Sequence, residues 1–266
     1  MTSESHNLSA KGYLDGLASR GRHHFTSREA RDALGASANA TAKALGRLIK
    51  QGYLASPERE FYVIVPPEYR SLGCLPAEQF IPALMAEKGL SYYAGLLSAA
   101  QFYGAAHHRP QEFQVFLARN RRPIVCGRVR VSFIARKRVG EVSVRTLNTA
   151  RGVIRVSTPE ATAVDLAGYP EHAGGLDQVA TVLAELAEHF DPVRLPEAAA
   201  VAPLIWAQRL GYLLEIAGAQ NAAVALKDYV RGRVRDYMPL LSNGPKQGER
   251  NADWKVIVNT TVEAEA

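Results

Sequence analysis

The chain has 266 residues, of which 47% are hydrophobic and 22% charged, with a net charge of +6. This is the balance of a globular protein long enough for two cores. The longest apolar run, residues 198–207, is about half of the ~20 residues a membrane span needs. Residues 1–7 are polar with no apolar stretch after them, so neither a membrane segment nor a secretion signal is expected.

Residues 1–8 read as disordered, and residues 9–19 as a first helix with Leu14, Leu17 and Ala18 inward. Phe25 leads into Thr26-Ser27-Arg28-Glu29, the form of a capping box, which starts a helix that stops at Gly35. A second helix starts near Ser37 and runs to Gly52, with Leu45, Leu48 and Ile49 as its buried stripe. Its other face carries Ser37, Asn39, Ala40, Lys43, Arg47 and Lys50. Residues 53–54 and 61–65 read as two short strands with a polar turn, residues 56–60, between them. Helix, tight turn, helix and β-wing form a DNA-reading order of elements. The bland alternative is an amphipathic helix with a solvated face, or a winged helix used for protein contacts.

Pro66 and Pro67 end the second strand and open a linker to Pro76. Residues 77–88 and 91–103 read as helices stopped by Gly89 and Gly104. Residues 112–117 then alternate like a strand, and residues 124–125, 129–134, 142–147 and 153–156 are further strand candidates. Ser157-Thr158-Pro159-Glu160 is a helix start with Pro in the first turn. Helices are expected over residues 160–168, 176–189, 202–218 and 220–234. Residues 254–258 read as a last strand returning to the sheet.

The charge is lopsided. Residues 119–155 hold 11 Lys/Arg against one acid, whereas residues 156–266 hold 9 against 15. Arg128, Arg130, Arg136, Arg145 and Arg155 interleave with apolar positions, which in an antiparallel sheet puts the arginines on one open face. That face reads either as a phosphate-contacting surface or as a sheet kept soluble by charge. Cys74 and Cys126 suit a reducing cytoplasm and are expected to pack as small apolar residues rather than form a bridge.

Four local motifs, in order, resemble the AbiEi-like antitoxins of type IV abortive-infection toxin–antitoxin systems. They are residues 92–104; residues 156–160 with Val164-Asp165-Leu166 and Gly174-Gly175-Leu176-Asp177; residues 209–215; and residues 250–259. The resemblance covers about Lys11 to Asn259. It implies an N-terminal winged helix that binds operator inverted repeats and represses its own operon. It also implies a C-terminal domain that supplies antitoxicity against a nucleotidyltransferase-like toxin without a stable complex. The implied antitoxin motif is Ser157, Pro159, Glu160, Asp165, Arg209, Gly211, Tyr212, Trp254 and Asn259. Asp253 departs from the family pattern, as does the long polar stretch 242–250.

Candidate chemistry is sparse. Glu160 and Asp165 are five apart on an expected helix and do not share a face, so a metal-dependent nuclease lacks its carboxylate cluster. We read Glu160 as a partner of the helix dipole and Asp165 as an ion-pair partner, with Arg209 as the candidate cation. Arg209-Leu210-Gly211-Tyr212 reads as a helix–helix contact with close approach at Gly211, or as packing alone. Trp206 and Trp254 read as core anchors. The pairs His23-His24 and His107-His108 point their rings apart, and two scattered cysteines offer no zinc site.

The expected fold class is α+β. A winged helix-turn-helix DNA-binding domain spans residues 1–66, a linker residues 67–76, and a larger α/β domain with a mostly antiparallel sheet and a helical cluster residues 77–266. The expected function is a cytoplasmic DNA-binding antitoxin and autorepressor, not an enzyme, with no cofactor and no metal. The alternatives are a winged-helix-targeted nuclease and an antitoxin that binds its toxin directly. Candidate DNA contacts are Ser27, Arg28, Ser37, Asn39, Ala40, Thr41, Lys43, Arg47, Lys50 and Arg59, with Arg121, Arg122, Arg128 and Arg130 from the basic block. A monomer or weak dimer that pairs on double-stranded DNA is expected.

Overall fold

The computed structural model describes residues 9–105 and 111–264. The readings of residues 1–8 and of the His107-His108 pair lie outside the described residues. Among the described residues no helix is long and apolar enough to cross a membrane.

The N-terminal part comprises α1 (Ala10–Ala18), β1 (His24–Thr26), α2 (Ser27–Leu34), α3 (Ala38–Lys50), β2 (Leu54–Glu58) and β3 (Phe61–Ile64). The capping box forms: Glu29 N–H donates to Thr26 Oγ1 at 3.2 Å, and Thr26 N–H donates to the Glu29 carboxylate at 2.7 Å. Gly35 ends α2 in the left-handed region that favours glycine (φ 58°). Ser37 caps α3 by accepting from Ala40 N–H at 3.3 Å. The strands form an antiparallel sheet in the order β1-β3-β2. The polar turn is shorter than expected, because β2 continues through a bulge to Glu58 and leaves Arg59-Glu60 as the tip. The Ser56 hydroxyl, beside a proline with no N–H to offer, donates to the carbonyls of Glu58 or Phe61.

The central sheet has six strands in the order β6-β7-β5-β4-β9-β8. Its elements are α4 (Ala77–Glu87), β4 (Tyr92–Ala94), α5 (Leu96–Phe102), β5 (Phe113–Leu117), β6 (Ile124–Cys126), β7 (Val129–Ala135), β8 (Val144–Thr149) and β9 (Gly152–Ser157). A sheet that is mostly antiparallel was expected. It is mixed instead, since β5–β7 and β4–β9 pair parallel and the other three pairs antiparallel. Residues 91–103, expected as one helix, divide into β4 and α5. Tyr92 and Ala94 join the core on one sheet face while Tyr93 joins the other, so a strand buried on both sides reads as a continuous apolar run. Gly95 makes the break, since a Cβ there would press on the Phe116 ring.

Beyond the sheet lie α6 (Pro159–Gly168), α7 (Leu176–Leu186), α8 (Arg194–Ala200), α9 (Leu204–Ile216) and α10 (Gln220–Arg231). A second small sheet, β10 (Met238–Pro239), β11 (Glu249–Asn251) and β12 (Val256–Val258), runs in the order β10-β12-β11. The last strand therefore does not return to the central sheet as expected. It is held on α9 instead. Gln208 donates to the carbonyls of Trp254 and Lys255 at 3.3 and 2.9 Å, and the Trp254 indole lies on Gly211.

Three cores result. One lies inside the N-terminal part, around Leu14, Phe25, Leu45 and Leu48. The second joins Ala55, Phe61 and Val63 of the hairpin to α4 and one face of the central sheet. The third lies between the other sheet face and the helices α6–α10. The segment 67–76, expected as a linker, includes the buried Cys74 and Leu75, which belong to the second core. Both cysteines are free and buried.

The third core contains one buried ion pair. Arg136 Nε lies 3.0 Å from an Asp165 oxygen, with the side chains 3% and 0% exposed. Tyr93 O–H donates to the other carboxylate oxygen at 2.8 Å. Burial pushes the Asp165 carboxyl up to about 6, although Arg136 and Tyr93 pull it down. It is thus ionised at neutral pH. Because its folded value exceeds the ordinary 3.8, its contribution favours the fold at acid pH and is lost as pH rises from about 4 to 6.

Two stability outcomes follow from these contacts. Arg136→Met should cost about 3–5 kcal/mol at neutral pH, because it strands a buried carboxylate. The deficit should shrink at pH 5, where Asp165 can take up a proton; thermal melts showing equal deficits at pH 5 and pH 8 would contradict this electrostatic account. Gly211→Ala should destabilise by about 1–3 kcal/mol through overpacking against Trp254. That sign is opposite to the gain of about 1 kcal/mol that Ala gives over Gly in an open helix, and urea midpoints distinguish the two.

Candidate nucleic-acid interface and antitoxin core

The exposed side of α3 follows from its buried one. Thr41, Leu45 and Leu48 face the N-terminal core, at the four- and three-residue spacing of one helix face. Asn39, Ala40, Ala42, Lys43, Arg47 and Lys50 are left exposed. Two positions differ from expectation. Thr41, an expected DNA contact, is 3% exposed, and Ile49, expected in the core, is 38% exposed. Residue 41 shares the stripe of Leu45 and Leu48, whereas residue 49 falls just outside it. No acidic residue lies on α3. Ser27 and Arg28 open α2, and Arg28 is 3.9 Å from Asp32 on the same helix.

The tip of the β2–β3 hairpin reaches the central sheet. Arg121, in the β5–β6 connection, donates to Glu58 at 2.7 Å. An open groove of about 630 Å³ separates the tip from that connection and is lined by Arg59, Lys88, Arg121 and Arg122. Lys88 also borders a groove of about 460 Å³ between α3 and the hairpin. The two grooves thus share Lys88, and the one beside α3 is lined by Arg28 and Arg31 together with Glu60 and Glu87.

The basic block does not form one open face. Both sides of the sheet are covered, so its arginines separate by position. Arg122 joins the hairpin groove, whereas Arg128 and Arg130 line a different cavity of about 390 Å³. Arg136 is buried against Asp165. Arg151, in the β8–β9 turn, clasps the N-terminal part through His23 Nε2 and the Glu68 carboxylate, each at 2.7 Å. Burial, with Arg151 adding to it, lowers the His23 pKa, so the ring is neutral at pH 7.

The residues expected as an antitoxin motif lie in the helix layer and where it meets the sheet. Ser157 Oγ and Thr162 Oγ1 share a hydrogen bond of 2.7 Å, and Tyr103 O–H donates to the Ser157 carbonyl at 2.7 Å. Burial raises Tyr103 to about 12. Pro159 opens α6. Glu160, in its first turn, accepts from Asp191 N–H at 2.8 Å, tying α6 to the segment before α8. Asp165 pairs with Arg136 and not with the expected Arg209. Arg209 donates to the Ala167 carbonyl at 2.7 Å and to Ser242 at 2.9 Å. A cation at the last carbonyls of α6 is favoured by the helix dipole, while burial lowers the Arg209 pKa.

Gly211 seats Trp254, so the close approach is to an indole rather than to a neighbouring helix. Tyr212 is half-buried beside the third core. Asn259 brackets Leu241, accepting from its N–H and donating to its carbonyl, both at 2.9 Å. Asp253 pairs with Lys227 at 2.7 Å and Arg231 at 3.1 Å, both from α10. Those bonds lower its pKa.

Sequence reasoning missed Lys88, Glu58 and Arg151 as junction residues. Lys88 follows a helix, Glu58 ends a strand after a bulge, and Arg151 lies in a turn, where periodicity does not mark a side chain's direction.

Residues 93–216 match the family model of the AbiEi antitoxin C-terminal domain. The RV2827C protein from Mycobacterium tuberculosis has a similar fold, with a TM-score of 0.68 and 18% identity over 93% of this chain and 90% of that one. No curated protein matches the chain. The matched span runs from β4 to the end of α9 and holds Arg136, Asp165, Arg209 and Gly211. This sheet-and-helix part of the chain is therefore similar to the C-terminal domain of the AbiEi antitoxins.

Proposed function

We propose that the protein is a DNA-binding antitoxin that represses its own operon and opposes a nucleotidyltransferase-like toxin. In this reading residues 1–66 form a winged helix-turn-helix domain, residues 67–76 attach it, and residues 77–266 are the antitoxin domain. Helix α3 enters the major groove and the β2–β3 hairpin is the wing. The observation that carries the reading is the exposed, acid-free face of α3 with Lys43, Arg47 and Lys50, with Arg59, Lys88 and Arg122 lining the hairpin groove.

Asn39 suits adenine, and Lys43 or Arg47 suits guanine. The exposed Ala38, Ala40 and Ala42 leave room for the helix to approach base edges. Ser27, Arg28, Ser37 and Lys50 flank this face and contact backbone phosphates, as do Arg59 and Arg122 from the hairpin groove. Operator inverted repeats pair two monomers on the duplex. No observation favours the nuclease alternative, since Glu160 and Asp165 are engaged with the Asp191 amide and Arg136.

Lys43→Ala with Arg47→Ala should weaken binding to the protein's own promoter, by about 1–3 kcal/mol for each guanine read. An unchanged gel shift would remove α3 as the reader. Arg59→Ala with Arg122→Ala should lower the slope of log affinity against log salt by about 1.8, at about 0.9 per phosphate contact, with the preferred site unaltered. The pair Arg128→Ala and Arg130→Ala should leave that slope as it is. The reverse pattern would move the footprint to the other end of the sheet. Cleavage of DNA with Mg²⁺ or Mn²⁺ that Glu160→Ala abolishes would favour the nuclease, and co-purification with the toxin would favour direct binding.

A further inference from the structure

The two cysteines are far apart in sequence, but the backbone brings them face to face. Arg128 N–H donates to the Leu72 carbonyl at 2.7 Å. Next to that bond, Gly73 and Gly127 meet, both in the left-handed region at φ 69° and 58°. A Cβ on Gly127 would collide with the Leu72 carbonyl, so only glycine allows the chains this close. Residue numbers rise along one chain as they fall along the other, and the next step places Cys74 opposite Cys126. A disulfide needs a Cα span of about 4.4–6.8 Å. The two thiols are in hydrogen-bonding contact.

The pair is also chemically unequal. The Cys74 S–H donates to the Cys126 sulfur and lowers the Cys126 pKa, and the Ser56 N–H adds to this against the effect of burial. The same contact, with burial, pushes the Cys74 thiol up. Cys126 is thus the sulfur that ionises first. It ends the edge strand β6 and is 8% exposed, with the exposed Gly127 and Arg128 following it, whereas Cys74 is fully buried.

We propose that Cys74 and Cys126 are a peroxide-reactive dithiol that closes to an intramolecular disulfide. The Cys126 thiolate attacks one peroxide oxygen; the O–O bond breaks, hydroxide leaves, and Cys126 becomes a sulfenic acid. The Cys74 sulfur then attacks the Cys126 sulfur. The S–S bond forms, the S–O bond breaks, and the oxygen leaves as water with the Cys74 proton. In total, two thiols and one hydrogen peroxide give one disulfide and two waters. The bridge fastens the segment leading out of the N-terminal part to the edge of the central sheet, beside the hairpin that carries Ser56.

The test treats the full chain with hydrogen peroxide and reads intact mass and unreduced peptides. The expected result is loss of two hydrogens, a linked peptide pair holding Cys74 and Cys126, and reversal by dithiothreitol. Cys74→Ser should leave Cys126 as a sulfenic acid trapped by dimedone. Cys126→Ser should leave Cys74 unmodified. Recovery of both thiols as alkylated cysteines after peroxide treatment and unfolding would overturn the proposal, as would linkage found only between two chains. The wild-type readout stands even where a variant does not fold.

Discussion

The ion pair between Arg136 and Asp165 is the constraint on which the arrangement of the antitoxin domain depends. Arg136 follows β7, Asp165 lies in the middle of α6, and Tyr93 on β4 completes the contact. Three elements distant in sequence thus share one buried charge pair. Taking both charges out of water costs more than an apolar substitute would, so the pair is poor as a source of net stability. Its value is in register. A sheet face and a helix that meet only through aliphatic contacts can slide, whereas a carboxylate with one cation and one hydroxyl has one position in which neither charge is stranded. Arg209 and Glu160 act at the two ends of the same helix. One meets its last carbonyls and the other uses its first turn to hold the Asp191 amide.

The basic block illustrates how a charge pattern misleads when it is read as a surface. Eleven Lys/Arg in residues 119–155 suggest one continuous face, but strand alternation applies only where one side of a sheet is open. Here both sides are covered, by α4 and the hairpin on one and by α6–α10 on the other. The arginines therefore divide among the edge strand β8, the inner strands β7 and β9, turns and one buried site. Arg121 and Arg151 tie the N-terminal part to the sheet through Glu58, His23 and Glu68. Fewer cations remain free than the sequence count implies, and those near the hairpin groove gain weight accordingly.

Local chemistry was the legible part. The capping box at Thr26, the Ser37 cap and the glycine stop at Gly35 place α2 and α3 almost to the residue, because each is a backbone hydrogen-bonding problem solved within four positions. Tyr92–Ala94 was misread because a strand buried on both faces has no period-two signal. The last strand was assigned to the wrong sheet because nothing local states that Gly211 seats Trp254. Asp165 was correctly read as an ion-pair member, but Arg136 lay hidden among ten other cations, and the partner is decided by which strand packs on α6. Thr41 and Ile49 exchanged roles through the small rotation that distinguishes neighbouring helix positions.

The three cores together determine what a duplex would encounter. The hairpin contributes Ala55, Phe61 and Val63 to the same core as α4 and the sheet, so α3 and the β5–β6 connection are parts of one packed body rather than two bodies on a tether. The helix layer, on the far side of the sheet, belongs to the segment with 15 acids against 9 bases. Two of those acids, Glu160 and Asp165, are buried, so the count overstates the acidity of that layer's surface. In the proposed complex, the exposed cations of α3 and the hairpin groove would act on a duplex over the Debye length of about 8–10 Å. Under the proposed function, phosphate contacts would supply affinity and register, and α3 would be left to choose the site.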